Sequence, residues 1–203
     1  METPLMTTEE LTRRSLEIRI AAPHSACREP SPFFPLPEIY QQTNTWCMIR
    51  KARKEDIQHI IALLHQVNMV HHEIRPDLFK PHTTKYNEQE LEAMLTDDSK
   101  PIFVFDDNMV LGYAFCQLSE VVNHQLLEDI KTLYIDDICV DENARGKHVG
   151  KALYEFVRDY AKSIGCNNIT LNVWEGNEPA QLFYRSMGMQ VQKTTMEINN
   201  LNK

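Results

Sequence analysis

The chain has 203 residues, room for one ordinary domain with an appendage, and its 42% hydrophobic and 25% charged content is that of a globular protein. A net charge of −8 argues against nucleic acid, whose binding rests on cationic groups meeting phosphates, and no apolar run approaches the roughly 20 residues of a membrane-spanning helix. The five scattered cysteines, Cys27, Cys47, Cys116, Cys139 and Cys166, contain no Cys-x-x-Cys pair, which leaves neither a zinc site nor a disulfide scaffold and fits a reducing cytoplasm.

In chain order, residues 1–47 read as a poorly ordered extension. Their run Pro-Ser-Pro-Phe-Phe-Pro-Leu-Pro from Pro30 to Pro37 suits neither a helix nor a central strand. Met48 reads as an alternative start, with a domain over 48–203. Residues 47–52 are extended. From Lys54 to His72, Ile57, Ile60, Ile61, Leu64 and Val67 recur at helical spacing. Arg75-Pro76-Asp77 ends that helix, and a weaker one runs from Asn87 to Leu95. Pro101–Phe105 and Met109–Leu118 form a hairpin across Asp106-Asp107-Asn108. A strand spans 131–140. The clearest helix spans Val149–Ile164, closed by Gly165. A strand over Asn168–Val173, a helix over Glu178–Ser186 stopped by Gly188, and a last strand from Val191 to Ile198 complete an α/β domain with a mixed sheet.

The strand ending at Val140 runs into a basic, glycine-bearing turn that opens the long helix. The first N–H groups of a helix lack intrahelical acceptors and sit at the positive end of its dipole, so such a turn is an anion site. Gly146 and Gly150 allow close backbone approach, and Arg145, Lys147 and Lys151 add positive charge. The alternative is a strand-to-helix turn that needs glycine only for packing. The spacing matches neither a P-loop nor Gly-x-Gly-x-x-Gly.

Arg145-Gly146-Lys147-His148-Val149-Gly150 resembles the Arg/Gln-x-x-Gly-x-Gly pyrophosphate turn of the GNAT acetyltransferase superfamily. The stretch Asn177-Glu-Pro-Ala180-Gln-Leu-Phe183-Tyr184 through Gly188 resembles that superfamily's Asn-x-x-Ala-x-x-Phe-Tyr-x-x-x-Gly-Phe segment. The resemblance covers about residues 48–198, with one departure: His148 stands where glycine is usual. It implies a mostly antiparallel sheet with a V-shaped cleft between two parallel strands, 131–140 and 168–174, and acetyl-CoA as acyl donor. The pantetheine arm would pair with main chain at Ile138, Cys139 and Val140, the diphosphate would sit on residues 145–150, and Asn177 would hold the arm through its amide. Asn177 also reads as a helix N-cap.

Amide formation from a thioester needs a neutral amine, whereas an alkyl ammonium has a pKa near 10.4, and a carboxylate can accept the proton directly or through water. Asp136 and Asp137 precede the anion turn. A regular strand points only one of them into the cleft, and a bulge admits both. Asp136 is the base by its match to the family's glutamate position, with Cys139 expected on the opposite strand face as a small buried thiol rather than an acyl carrier. Tyr184 matches the family's phenolic acid for the departing thiolate; a Phe-Tyr pair alone reads as packing. No two of His65, His71, His72 and His82 stand four apart, so no metal is expected.

Glu73 and Asp77, with Asp137, would complete an acidic rim for a cationic acceptor. Leu133–Asp137 resembles the Leu-Tyr-Leu-Glu-Asp segment of diamine acetyltransferases, which implies a polyamine or other small amine. Protein N-termini, lysines and aminoglycosides stay open as acceptors, and a homodimer is expected by analogy only. Two further readings compete: a non-catalytic acyl-CoA sensor, and an interaction module using the proline run.

Overall fold

The computed structural model describes residues 48–199. The extension over 1–47, its proline run, Cys27 and Cys47 lie outside the described residues. Five strands stand side by side in chain order: β1 (Ile49–Lys51), β2 (Ile102–Asp106), β3 (Val110–Val121), β4 (Ile130–Val140) and β5 (Asn168–Leu171). Each of the first four runs antiparallel to its neighbour, and β5 runs parallel to β4.

Helices cover both faces. On one side lie α1 (Ile57–Ile74) and α2 (Glu88–Leu95), whose Ile57, Ile60, Leu63, Leu64 and Leu91 pack on Val104, Tyr113, Phe115 and Cys139 of the sheet. On the other lies α3 (Val149–Ser163), whose Val149, Ala152, Leu153, Val157 and Ala161 stripe meets Ala114, Cys116, Leu133 and Ile135. Leu153 and Val157 are fully buried, each worth about 1.5–3 kcal/mol of transfer free energy. The last helix, α4 (Glu178–Ser186), lays Phe183 and Tyr184 against the same core.

Local chemistry sets the boundaries. At the start of α2 the Glu90 N–H donates to Asn87 Oδ1 at 2.9 Å and the Asn87 N–H to Glu90 Oε2 at 2.8 Å, a reciprocal cap. Gly165 ends α3 at φ +76°, a left-handed conformation that costs glycine little. Gly112 was not singled out in the sequence, yet an added Cβ there would lie 2.8 Å from the Cys139 carbonyl oxygen and 3.1 Å from Leu153. Its lack of a side chain lets the front of α3 seat on the hairpin.

One expected element is absent. Residues 189–199 form no strand, so the sheet ends at β5. Val191, Met196 and Ile198 are 73%, 87% and 79% exposed. They do not alternate strictly and find no face to bury, and β5 offers only four residues as a template.

Candidate active site

The two parallel strands pair only from Thr132 with Asn168 to Ile135 with Leu171. Beyond that point β4 continues through Asp136–Val140 with β3 on one side and no paired strand on the other. An open strand edge of this kind accepts an extended, amide-bearing ligand as an added strand. Ile138 and Val140, half-buried, and Cys139, buried, lie along that opening.

The edge leads through a 3-10 turn (Glu142–Ala144) into α3. No described residue accepts from the N–H groups of Val149, Gly150 or Lys151, the first three residues of α3. Arg145 and Lys147 are exposed and form no ion pair with another described residue. Gly146 takes φ +77° and His148 takes φ +63°. The departure at His148 thus falls where the backbone is left-handed, the conformation that favours glycine. The His148 side chain does not cap the helix, so the amides stay free. Gly150 packs 3.5 Å from Val140 and 3.8 Å from Phe183, measured from an ideal Cβ, which joins the helix entrance to the end of β4 and to α4.

A bulge sits where the chemistry is expected. Phe115 pairs with Asp137 and Cys116 with Ile135, leaving Asp136 as the extra residue. The alternation is therefore broken, and both carboxylates point to the α1/α2 side of the sheet. Cys139 joins them on that face; the expectation that it lies opposite Asp136 fails because the bulge shifts the parity of the strand by one. Its thiol is buried, donates weakly to the Leu63 carbonyl oxygen at 3.5 Å, and is pushed up to about 12 by burial. A thiol so held is protonated at neutral pH and unsuited to carry an acyl group.

Asp136 Oδ2 accepts from Lys85 Nζ at 2.6 Å and from the Tyr86 hydroxyl at 3.0 Å. Asp137 Oδ2 accepts from the Tyr113 hydroxyl at 2.7 Å. Burial pushes the Asp137 carboxyl up to about 6, against the opposing pull of the Tyr113 hydroxyl and the Lys85 charge. Tyr184 stands within electrostatic reach of Asp137: burial first, and that negative charge second, raise its phenol above the usual range. Its ring packs on Phe183 and Tyr154, and its hydroxyl donates to no described residue. Asn177 caps α4, its Oδ1 accepting from the Ala180 N–H at 3.3 Å, which leaves the amide NH₂ without a described acceptor. Both readings of Asn177 are therefore compatible in one rotamer.

The acidic rim is only partly assembled. Asp77 pairs with Arg75 at 2.7 Å, Asp136 with Lys85, and Glu73 is exposed. Arg75 also reaches Glu197 and lies 5.5 Å from the Trp174 ring centre. Phe79 stacks edge-on to Trp174 at 5.4 Å and meets His71 at 5.1 Å, so the loop after α1 and the loop after β5 meet through aromatic rings. Burial and the Lys85 charge lower His71, keeping it neutral near pH 7. Lys85, Tyr86 and Tyr113 were missed in the sequence. Only a tyrosine inside a strand of buried residues, as Tyr113 is, carries a signal, because a buried hydroxyl needs a partner.

Residues 67–189 match the model of the acetyltransferase (GNAT) family. The chain belongs to that family. It is 39% identical over 59 residues to glucosamine 6-phosphate N-acetyltransferase of Arabidopsis thaliana, covering 29% of this chain and 38% of that protein. It is 30% identical over 87 residues to an uncharacterized N-acetyltransferase of Lactobacillus delbrueckii subsp. lactis, covering 43% and 49%. The chain thus spans less than half the length of these curated relatives. A mutant of the BH1408 protein from Bacillus halodurans has a similar solved structure, with a TM-score of 0.72 and 32% identity over 75% of this chain and 99% of that one. The bulge, the open strand edge and the entrance of α3 follow one another along this stretch of the chain. Among its described residues no helix is long and apolar enough to cross a membrane, and no three His, Cys, Asp or Glu side chains gather as metal ligands.

Proposed function

We propose that the chain transfers an acetyl group from acetyl-CoA directly to the nitrogen of a small primary amine, with a cationic polyamine-like compound as the acceptor class. The observation that carries this reading is the parting of β4 and β5 after Ile135 and Leu171. It leaves an unpaired edge beside the bulged carboxylates and aims that edge at free N–H groups. The donor fits these residues: Val149, Gly150 and Lys151 amides with Arg145 and Lys147 for the diphosphate, the Ile138–Val140 edge for the pantetheine amides, and the Asn177 NH₂ for an arm carbonyl. Acetyl-CoA supplies the activated thioester.

The chain's own residues do the rest. Asp136, expected from the sequence to be the base, here receives the ammonium, as it already receives that of Lys85, and the base role passes to its neighbour. Asp137, raised by burial to about 6, is ionised at neutral pH yet basic enough to take a proton from the amine. The phenol of Tyr184, which keeps its proton at neutral pH, donates it to the departing sulfur. A free-thiol release assay tests this, with acetyl-CoA against polyamines, amino sugars, aminoglycosides and peptide amines, run on wild type, Asp136→Asn and Tyr184→Phe. Release with a small cationic amine, weakened in both variants, is the expected result. Tight acetyl-CoA binding without thiol release from any amine would make the protein a sensor on this fold. Calorimetry that shows no association with acetyl-CoA at millimolar concentration would overturn the reading.

A further inference from the structure

One primary amine of the chain itself stands beside Asp136, the carboxylate proposed above to receive the substrate ammonium. Lys85 lies in the segment between α1 and α2, and its Nζ donates to Asp136 at 2.6 Å. It also acts electrostatically on Asp137, on the same face of the bulge. The Tyr86 ring lies 5.4 Å beneath the ammonium and its hydroxyl shares the Asp136 oxygen. The Lys85 side chain is 46% exposed, so it stays open to solvent while it meets Asp136. A substrate ammonium bound at Asp136 would occupy this same place.

We propose that Lys85 is a self-acetylation site, its Nζ accepting the acetyl group from acetyl-CoA bound to the same molecule. The proposal rests on the acetyltransferase reading above. In the step, the Lys85 ammonium gives one proton to Asp137 and the freed lone pair forms the N–C bond to the acetyl carbon. The C–S bond breaks with its electron pair on sulfur, which takes a proton from Tyr184. The nitrogen loses its second proton, which restores the phenol, and the Asp137 proton passes to solvent. The products are the Lys85 amide, free CoA and one proton. Losing the charge removes the ion pair with Asp136, so the modified protein offers that carboxylate to an external amine.

The test incubates the full chain with acetyl-CoA and no amine, and follows each lysine by peptide mass spectrometry over time. Lys162, 70% exposed on α3, reports chemical acetylation in the same tube. The expected result is acetylation of Lys85 at least about tenfold faster than of Lys162, at a rate independent of protein concentration, and slowed about a hundredfold or more in Asp137→Asn. Lys85 modified no faster than Lys162, a rate unchanged in Asp137→Asn, or a rate rising with protein concentration would each overturn it. Thiol release with an added amine is measured in parallel. Turnover of that amine with Lys85 unmodified sinks the self-acetylation alone, whereas no turnover and no acetyl-CoA binding sinks the enzyme reading as well.

Discussion

Two clusters of aspartates border the same sheet and behave in opposite ways. Near the first hairpin, Arg50 donates to Asp56 through both terminal nitrogens at 2.7 and 2.9 Å and to Asp106 at 2.6 and 3.0 Å, while the Arg53 N–H donates to Asp56 at 2.7 Å. Burial pushes the Asp56 carboxyl up, but the Arg50 hydrogen bonds and charge with the Arg53 amide outweigh it and hold it below the usual range. At the bulge, Asp137 has a neutral hydroxyl and no cation in contact, and burial wins. A saturated carboxylate ties strands together. An under-partnered one can exchange a proton near neutral pH.

The largest effect should come from removing the proton acceptor. Asp137→Asn is expected to lower kcat/KM for amine acetylation about 10²- to 10⁴-fold with acetyl-CoA affinity unchanged, and steady-state kinetics with calorimetry checks both. In the wild type the acid limb of kcat/KM should fall as pH drops through about 6, and the variant should lose that limb. Stability moves the other way. A carboxyl raised on folding binds its proton more tightly in the native state, so its contribution to stability declines as pH rises from the ordinary carboxylate range through about 6. Asp137→Asn should therefore be at least as stable as wild type at pH 7.

Breaking the other cluster reverses the pattern. Asp56→Ala strands Arg50 with less compensation and should cost about 3 kcal/mol, read by urea unfolding, while the folded fraction keeps its thiol release. Asp56 is depressed on folding, so the stability it adds is present above its unfolded pKa and is lost as pH falls through its folded value. The smaller effects lie at the cleft's rim. Tyr184→Phe should slow acetyl transfer about tenfold to a hundredfold, the low end for a general acid because a thiolate departs readily. His148→Val places a branched side chain at φ +63° and should lose about 1–2 kcal/mol in thermal unfolding, whereas His148→Gly should stay close to wild type and bind acetyl-CoA no more weakly.

Much of the frame was legible because its causes are local. The Ile57–Leu64 and Val149–Ala161 stripes, the Asp107–Asn108 turn and the glycine stops each act within a few residues, and nine of the ten expected elements appear in order. The tenth, over 191–198, needed a neighbour to pair with, and β5 is too short to supply one. The Asp136–Asp137 step was recognised as a choice between one cleft carboxylate and two, and only the pairing of β4 with β3 resolved it.

The periodicities and the two motifs by themselves determined an α/β domain whose strand feeds a long helix through a basic, glycine-bearing turn, because apolar spacing and helix-end chemistry are properties of short segments. Tertiary structure alone decided which carboxylate burial raises and which meets Lys85. Those outcomes depend on the bulge and on contacts spanning 24 residues from Tyr113 to Asp137 and 51 from Lys85 to Asp136. Burial and partner count, which set a proton's affinity, exist only once the chain has folded.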